Sequence, residues 1–178
     1  VGENGAGKST LMKVLSGIYS SNTYDGDILI DDEVQCFNSI KDSEKKGIAI
    51  IYQELALCKN MNIAESIFLG SEIKNNLGII DWDATYEKAS EFLKIVRLDI
   101  NPETKIVNLG VGQQQLIEIC KAISKNAKLL ILDEPTAALT ETETQNLLNL
   151  LREFKKKGVT CIYISHKLDE VFEISDSI

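Results

Sequence analysis

The segment Gly2-Glu3-Asn4-Gly5-Ala6-Gly7-Lys8-Ser9-Thr10 carries the residue types of a phosphate cradle: two glycines five apart, followed by Lys and Ser. Glycines let the backbone take positive φ and leave no Cβ in the way of an anion. Amides from Asn4 to Lys8 can then point inward as a nest. A helix opening near Ser9 adds its unpaired N–H groups and the positive end of its dipole. In such a cradle Lys8 supplies a full charge to β- and γ-phosphates, and the Ser9 hydroxyl can ligate Mg²⁺. A chance Gly-rich turn is the bland alternative. Against it, Leu11, Met12, Val14 and Leu15 follow as a helical apolar stripe ended by Gly17.

Three further groups end apolar runs of strand length. Gln53 and Glu54 follow residues 47–52, Asp133-Glu134 follows residues 129–132, and His166 follows residues 159–164. In an open α/β sheet, ligands bind outside the C-terminal ends of the strands. Two acids at such a tip are costly unless a cation meets them. Asp133 is therefore expected to hold Mg²⁺, and Glu134 to orient or deprotonate an attacking water. The lone His166 could be merely structural. On this rim it could instead donate to a γ-phosphate or position the water. Leu109-Gly110-Val111-Gly112-Gln113 is a second glycine-relieved helix start, either an anion cradle or a simple loop-to-helix junction.

The elements that must place these groups alternate between strand and helix. A turn at Tyr24-Asp25-Gly26 leads to a short strand around residues 28–32, with residues 34–37 as its hairpin partner. A polar helix over 41–46 precedes the buried strand at 47–52, whose continuous apolar character marks a parallel strand. From 61–70 and 83–98 the pattern is helical, and nothing between 58 and 108 reads as a sheet strand. A helix over 113–124, a strand at 129–132, a helix over 140–157, a strand at 159–164 and a helix over 167–174 follow. A further strand is expected from Asp176. Alternation of this kind predicts a doubly wound, mostly parallel sheet. The α/β core then comprises residues 1–57 and 109–178, with an inserted helical subdomain at 58–108. With only Val1 before the cradle, the chain is expected to be truncated at both ends.

The 178 residues are 44% hydrophobic and 26% charged with a net charge of −8, an ordinary globular composition without the basic face that direct nucleic-acid binding requires. Lys155, Lys156 and Lys157 close a helix, where cations favour the dipole. No apolar run is long enough to cross a bilayer. The four cysteines, Cys36, Cys58, Cys120 and Cys161, have no metal spacing, and three lie in apolar stretches, so buried free thiols in a reducing compartment are expected.

In this order, the cradle at 2–10, Gln53, Leu109 to Gln113, Asp133-Glu134 and His166 resemble the Walker A, Q-loop, signature, Walker B and switch-histidine motifs of ATP-binding cassette (ABC) ATPases. The resemblance implies a P-loop ATPase that takes ATP and Mg²⁺. Gly2 through Thr10 and Leu109 through Gln113 would contact nucleotide, Ser9, Gln53 and Asp133 would hold the metal, and Glu134, His166 and Gln53 would be catalytic. It also implies that two cassettes sandwich two ATPs, each signature acting on the other's nucleotide. The wording of Tyr52-Gln53-Glu54-Leu55-Ala56-Leu57, Gly112-Gln113-Gln114-Gln115 and Ser165-His166-Lys167-Leu168 is similar to the bacterial sugar-importer branch. There two cassettes share one polypeptide, and this chain resembles the N-terminal one. Gly110 and Tyr24-Asp25-Gly26 are most like the D-xylose members, with ribose, galactose and arabinose relatives left open.

The implied partners are the second cassette, an integral membrane permease and, indirectly, a periplasmic sugar-binding protein, at the cytoplasmic face of the inner membrane. Two residues depart from the family pattern. Gly110 replaces a Ser whose hydroxyl would bond phosphate, an interaction worth roughly 1.5–3 kcal/mol, which implies two unequal ATP sites. Thr140 stands where an Asp is common. Rival readings are a DNA-repair or chromosome-organising ATPase, a translation factor, and a fragment inactive by itself. The first is disfavoured because about a hundred residues separate Lys8 from Leu109, too few for a long coiled coil.

Overall fold

The computed structural model describes residues 6–53 and 55–178. Gly2, Glu3, Asn4 and Gly5 of the expected cradle lie outside the described residues, as do Val1 and Glu54. The described chain enters α1 (Lys8–Leu15) through Gly7, and Met12 is the residue this helix buries. β1 (Ile28–Ile30) and β2 (Glu33–Gln35) form an antiparallel hairpin with Ile30 opposite Glu33. Its turn, Asp31-Asp32, has φ of 52° and 62°, the left-handed pair that two-residue hairpins favour. Next come α2 (Ile40–Lys45) and β3 (Ile48–Ile51).

The helical stretch holds α3 (Ile63–Phe68) and α4 (Trp82–Ile95), with a 3₁₀ turn at Ile106–Asn108 and no strand among the described residues. α3 starts two residues later than its sequence pattern because Asn62 caps it, and it stops at Phe68, short of Gly70 at φ 81°. The Asn62 Oδ1 accepts from the Glu65 N–H at 2.8 Å, and Glu65 Oε2 accepts from the Asn62 N–H at 2.8 Å, a reciprocal cap that satisfies two orphan donors. α5 (Val111–Ser124) begins two residues earlier than expected. β4 (Leu129–Asp133), α6 (Glu141–Lys156), β5 (Thr160–Ile164) and α7 (Leu168–Ile174) complete the chain.

β3, β4 and β5 form one parallel sheet in that order. The central strand explains the layers. Leu130 and Leu132 belong to a cluster with Ile51, Ile63, Ile117 and Leu147, which unites the sheet with α3, α5 and α6. Ile131, pointing the other way, joins Met12, Phe37, Ile48 and Ile164, against which Ile28 and Ile30 of the hairpin pack. Both faces of β4 are thus dry, which is why it reads as an unbroken apolar run. Burying each such side chain contributes about 1.5–3 kcal/mol.

Two expectations need correction. Residues 176–178 form no strand. The cysteines are free, but only Cys120 is buried; Cys161 is half-buried, and Cys36 and Cys58 are exposed. Cys36 lies between buried Gln35 and buried Phe37, so the alternation of extended chain turns it outward. Burial pushes the Cys120 thiol up to about 12 and the Cys161 thiol up to about 11.

Among the described glycines, Gly17 has the tightest backbone approach. At φ 74°, a Cβ there would sit 2.4 Å from the Ser39 carbonyl oxygen, whereas Gly78, at φ 77°, opens on empty space. Gly78→Ala is expected to cost about 1–2 kcal/mol from the left-handed conformation alone. Gly17→Ala adds a backbone clash and should cost about 3–5 kcal/mol. Chemical unfolding of both variants checks the order.

Candidate active site

Because the three strands are parallel, their C-terminal ends face one way. Ile51 is level with Leu132, and Leu132 with Tyr163. Tyr52, Asp133 and Ile164 therefore end side by side, and Gln53, Glu134 and Ser165 come one step later, with His166 next. α1 brings Lys8 to the same rim, close enough for its ammonium to act on the Asp133 carboxylate.

Glu134 turns the rim inward. Its φ is 50°, a left-handed conformation that a non-glycine residue holds only when its surroundings enforce it. The enforcing contacts are its N–H, which donates to the Ile164 carbonyl at 2.9 Å, and its own carbonyl, which accepts from the Ala137 N–H at 3.2 Å. The side chain meets His166: Nε2 and Glu134 Oε1 are 2.6 Å apart, with Glu134 20% and His166 49% exposed. His166 is thus paired with the acid rather than pointing away from the site, which the lone histidine in the sequence left undecided.

Asp133 carries the electrostatic record of the site. Burial, and then the neighbouring Glu134 charge, push its carboxyl above the usual range, while Lys8 and His166 pull the other way without cancelling the rise. Two acids side by side keep a surplus of negative charge that a further cation would relieve. The donor set of a hydroxyl, an amide oxygen and a carboxylate at Ser9, Gln53 and Asp133 suits a hard, oxygen-seeking ion such as Mg²⁺. Ala6, Gly7, Ser9 and Thr10 are exposed at the mouth of α1, and Gln53 is exposed at the end of β3.

The second glycine segment is placed by other elements. Gly110 precedes α5, and its N–H donates to Gln113 Oε1 at 3.0 Å. Gln114 Nε2 donates to the Leu109 carbonyl at 2.9 Å. Leu109 is buried, while Gly110 and Val111 face solvent. Gly112 is buried against α6: a Cβ there would stand 2.8 Å from Glu143 Oε2. Glu143 escaped the sequence reading as a neighbour of this segment. The Thr140–Glu143 capping box is legible in the sequence, but the meeting of α5 and α6 is not. Glu170, four residues past His166 in the first turn of α7, likewise carries no sequence signal that marks it as a partner of this rim.

A parallel sheet wrapped by helices, with a lysine-bearing helix start facing an acid pair at the central strand tip, defines an α/β chain of the P-loop class. The sequence model of the ABC transporter family matches residues 1–137, and the chain belongs to that family. It is 64% identical over 178 residues to the xylose import ATP-binding protein XylG of Thermoanaerobacter pseudethanolicus, covering all of this chain and 35% of that protein. It is 57% identical over 177 residues to the L-arabinose transport ATP-binding protein AraG of Geobacillus stearothermophilus, covering 99% of this chain and 34% of that one. The chain thus spans about a third of the length of these relatives. Among solved structures it is similar to the ADP conformation of MJ1267, an ATP-binding cassette of an ABC transporter. The TM-score is 0.81 at 27% identity, over 99% of this chain and 72% of that one.

The raised Asp133 carboxyl sets a pH dependence. A folded-state value above the unfolded one means that folding stability falls as pH rises through the folded value, and that no penalty exists when both states are protonated. Without added metal, Asp133→Asn should unfold at a higher temperature than wild type at neutral pH. The difference should vanish below the ordinary aspartate range of about 3.9. Calorimetry across pH checks this, and a gain that persisted in acid would contradict it.

Proposed function

We propose that this chain is the ATP-binding and ATP-hydrolysing cassette of a bacterial sugar importer, with D-xylose as the cargo of the full protein. The observation that carries the reading is the convergence of Lys8, Asp133, Glu134 and His166 on one strand-end rim. It is supported by the family match and by the relatives, most of them named for xylose import, at 54–64% identity over essentially the whole chain.

In this reading the cradle at Gly2, Glu3, Asn4, Gly5, Ala6, Gly7, Lys8, Ser9 and Thr10 holds the ATP phosphates, with the Lys8 charge on their outer oxygens. Ser9, Gln53 and Asp133 would hold Mg²⁺, which when bound supplies charge neutralisation at the phosphates. Glu134 takes or orients the proton of the attacking water, and its carboxylate must point at that water to do so. His166 holds Glu134 Oε1 through its Nε2 and so fixes the direction of the base. Leu109 through Gln113 would present α5's opening amides to nucleotide bound by a second cassette. The helical subdomain at 58–108, between core parts 1–57 and 109–178, would carry that segment.

A permease docked near Gln53 and, through it, a periplasmic sugar-binding protein complete the proposed importer. The chain would sit peripherally at the cytoplasmic face, and no described helix is long and apolar enough to cross a membrane. ATP must favour the closed cassette pair through contacts that the open pair lacks. With Gly110 in place of a hydroxyl residue, the ATP site that this chain's signature completes is the weaker of two.

The test uses the full-length protein with its permease in vesicles. Glu134→Gln should lower ATP hydrolysis by about 10²–10⁴-fold while nucleotide binding persists. Lys8→Ala should lose binding itself. Gly110→Ser should leave hydrolysis within about twofold, because only the weaker site changes. Xylose-dependent stimulation of hydrolysis is expected. Full hydrolysis in Glu134→Gln would overturn the catalytic reading, and stimulation by another sugar alone would overturn the choice of xylose.

A further inference from the structure

Glu170 is buried, at 8% exposure, in the first turn of α7. An acid at a helix start needs no interior partners, because the dipole and solvent satisfy it. Glu170 instead points into the fold. Its Oε2 accepts from the Tyr163 hydroxyl at 2.6 Å and from the Thr136 hydroxyl at 2.7 Å, with the Ser165 hydroxyl at 3.4 Å. Its Oε1 pairs with the Lys167 ammonium at 3.0 Å, and the same ammonium donates to the Thr136 carbonyl at 3.3 Å. The Lys167 N–H donates to the Ser165 hydroxyl at 3.0 Å.

The sequence positions of these partners give the cluster its meaning. Thr136 lies two residues past Glu134, and Ser165 and Lys167 flank His166. One carboxylate therefore ties together the two segments that carry the Glu134–His166 pair. Hydrogen bonds to a charged group are shorter and about twice as strong as neutral ones. Burial alone would favour the neutral acid, but the hydroxyls of Tyr163 and Thr136 and the Lys167 charge outweigh it and hold the carboxyl below its usual range. Burial and Glu170 together push the Tyr163 hydroxyl up, so it stays a donor at working pH.

We propose that Glu170 is a positioning residue for hydrolysis: it sets the spacing and direction of Glu134 relative to His166 by clamping Thr136 on one side and Tyr163 and Ser165 on the other. This rests on the hydrolytic reading of the site. Glu170 itself would touch neither nucleotide nor water. Its effect would fall on the chemical step and not on ATP affinity, because the proposed phosphate contacts Lys8 and Ser9 lie on α1 and are not among the residues that Glu170 bonds.

The experiment measures steady-state hydrolysis, binding of a fluorescent ATP analogue and unfolding midpoints in the full-length protein. The variants are Glu170→Ala, Glu170→Gln, Tyr163→Phe and the Tyr163→Phe/Glu170→Ala double, with Glu134→Gln as reference. Glu170→Ala should lower kcat by about 10–100-fold, the scale of a small misplacement of a catalytic group, with KM and analogue affinity within about threefold. Glu170→Gln keeps an acceptor for both hydroxyls and should recover about half of that loss on a logarithmic scale. The double variant should match Glu170→Ala, because both changes act through one carboxylate.

If Glu170→Ala does not fold, Tyr163→Phe decides, with an expected kcat loss of about 3–10-fold at unchanged affinity. Wild-type kcat in the folded Glu170 and Tyr163 variants would overturn the proposal. So would parallel losses of affinity, kcat and stability, which belong to a merely structural contact. Should Glu134→Gln still hydrolyse ATP, the hydrolytic reading fails and the proposal with it. Should Glu134→Gln be inactive while the Glu170 variants match wild type, the positioning role alone fails.

Discussion

The parallel pairing of β3, β4 and β5 is the constraint on which the rest of the molecule depends. Parallel strands must all be reached by crossovers, so each strand ends at the same edge of the sheet. The register then decides which residues share that edge. With Leu132 level with both Ile51 and Tyr163, Gln53, Glu134 and Ser165 fall in one row and His166 one step beyond. A slip of one residue in β5 would turn Ile164 from its cluster with Ile131 and Met12 toward the opposite face. It would also carry His166 away from Glu134. Core packing and site geometry are therefore held by the same hydrogen-bonded ladder.

The rim also concentrates charge where the sheet is dry. Asp133 and Glu134 follow three residues of β4 that are at most 1% exposed, and burial, followed by repulsion from Glu134, raises the Asp133 carboxyl. Lys8 and the His166 ring answer part of it. Crowded acids of this kind cost stability unless a cation offsets their charge. The left-handed Glu134 is a second local cost at the same place. Strain and charge thus accumulate on one dipeptide, while the surrounding core supplies the stability that holds it.

Away from the rim, the helical stretch is not a separate body in its packing. Ile63 and Ile67 of α3 and Leu93 of α4 share one continuous cluster with Leu130 and Leu132 of the central strand. The opening of α5 lies against α6 through Gly112 and Glu143. The Glu143 carboxylate is also the cap of α6, with its Oε2 accepting from the Thr140 N–H and hydroxyl at 2.8 Å each. A shift of α6 at Thr140 would therefore be felt at the glycine segment that opens α5.

Residue order alone determined much of this protein. The apolar runs at 47–52, 129–132 and 159–164 announce strands, and the run at 129–132 is unbroken because β4 is buried on both faces and admits no polar alternation. The residues just past each run must then lie at the strand tips, so Gln53, Asp133, Glu134 and His166 were legible as site candidates, and Lys8 by its glycines. Element ends were less legible: α3 is trimmed by the Asn62 cap, and Cys36 faces solvent because it alternates with buried neighbours. Only tertiary structure decided that His166 bonds Glu134, that Glu143 sits against Gly112, and that Glu170 joins Thr136 to Tyr163. Those contacts span 7 to 34 residues and depend on the register and spacing of packed elements. No local pattern encodes them, because a side chain's partner across a fold is set by where whole strands and helices come to rest.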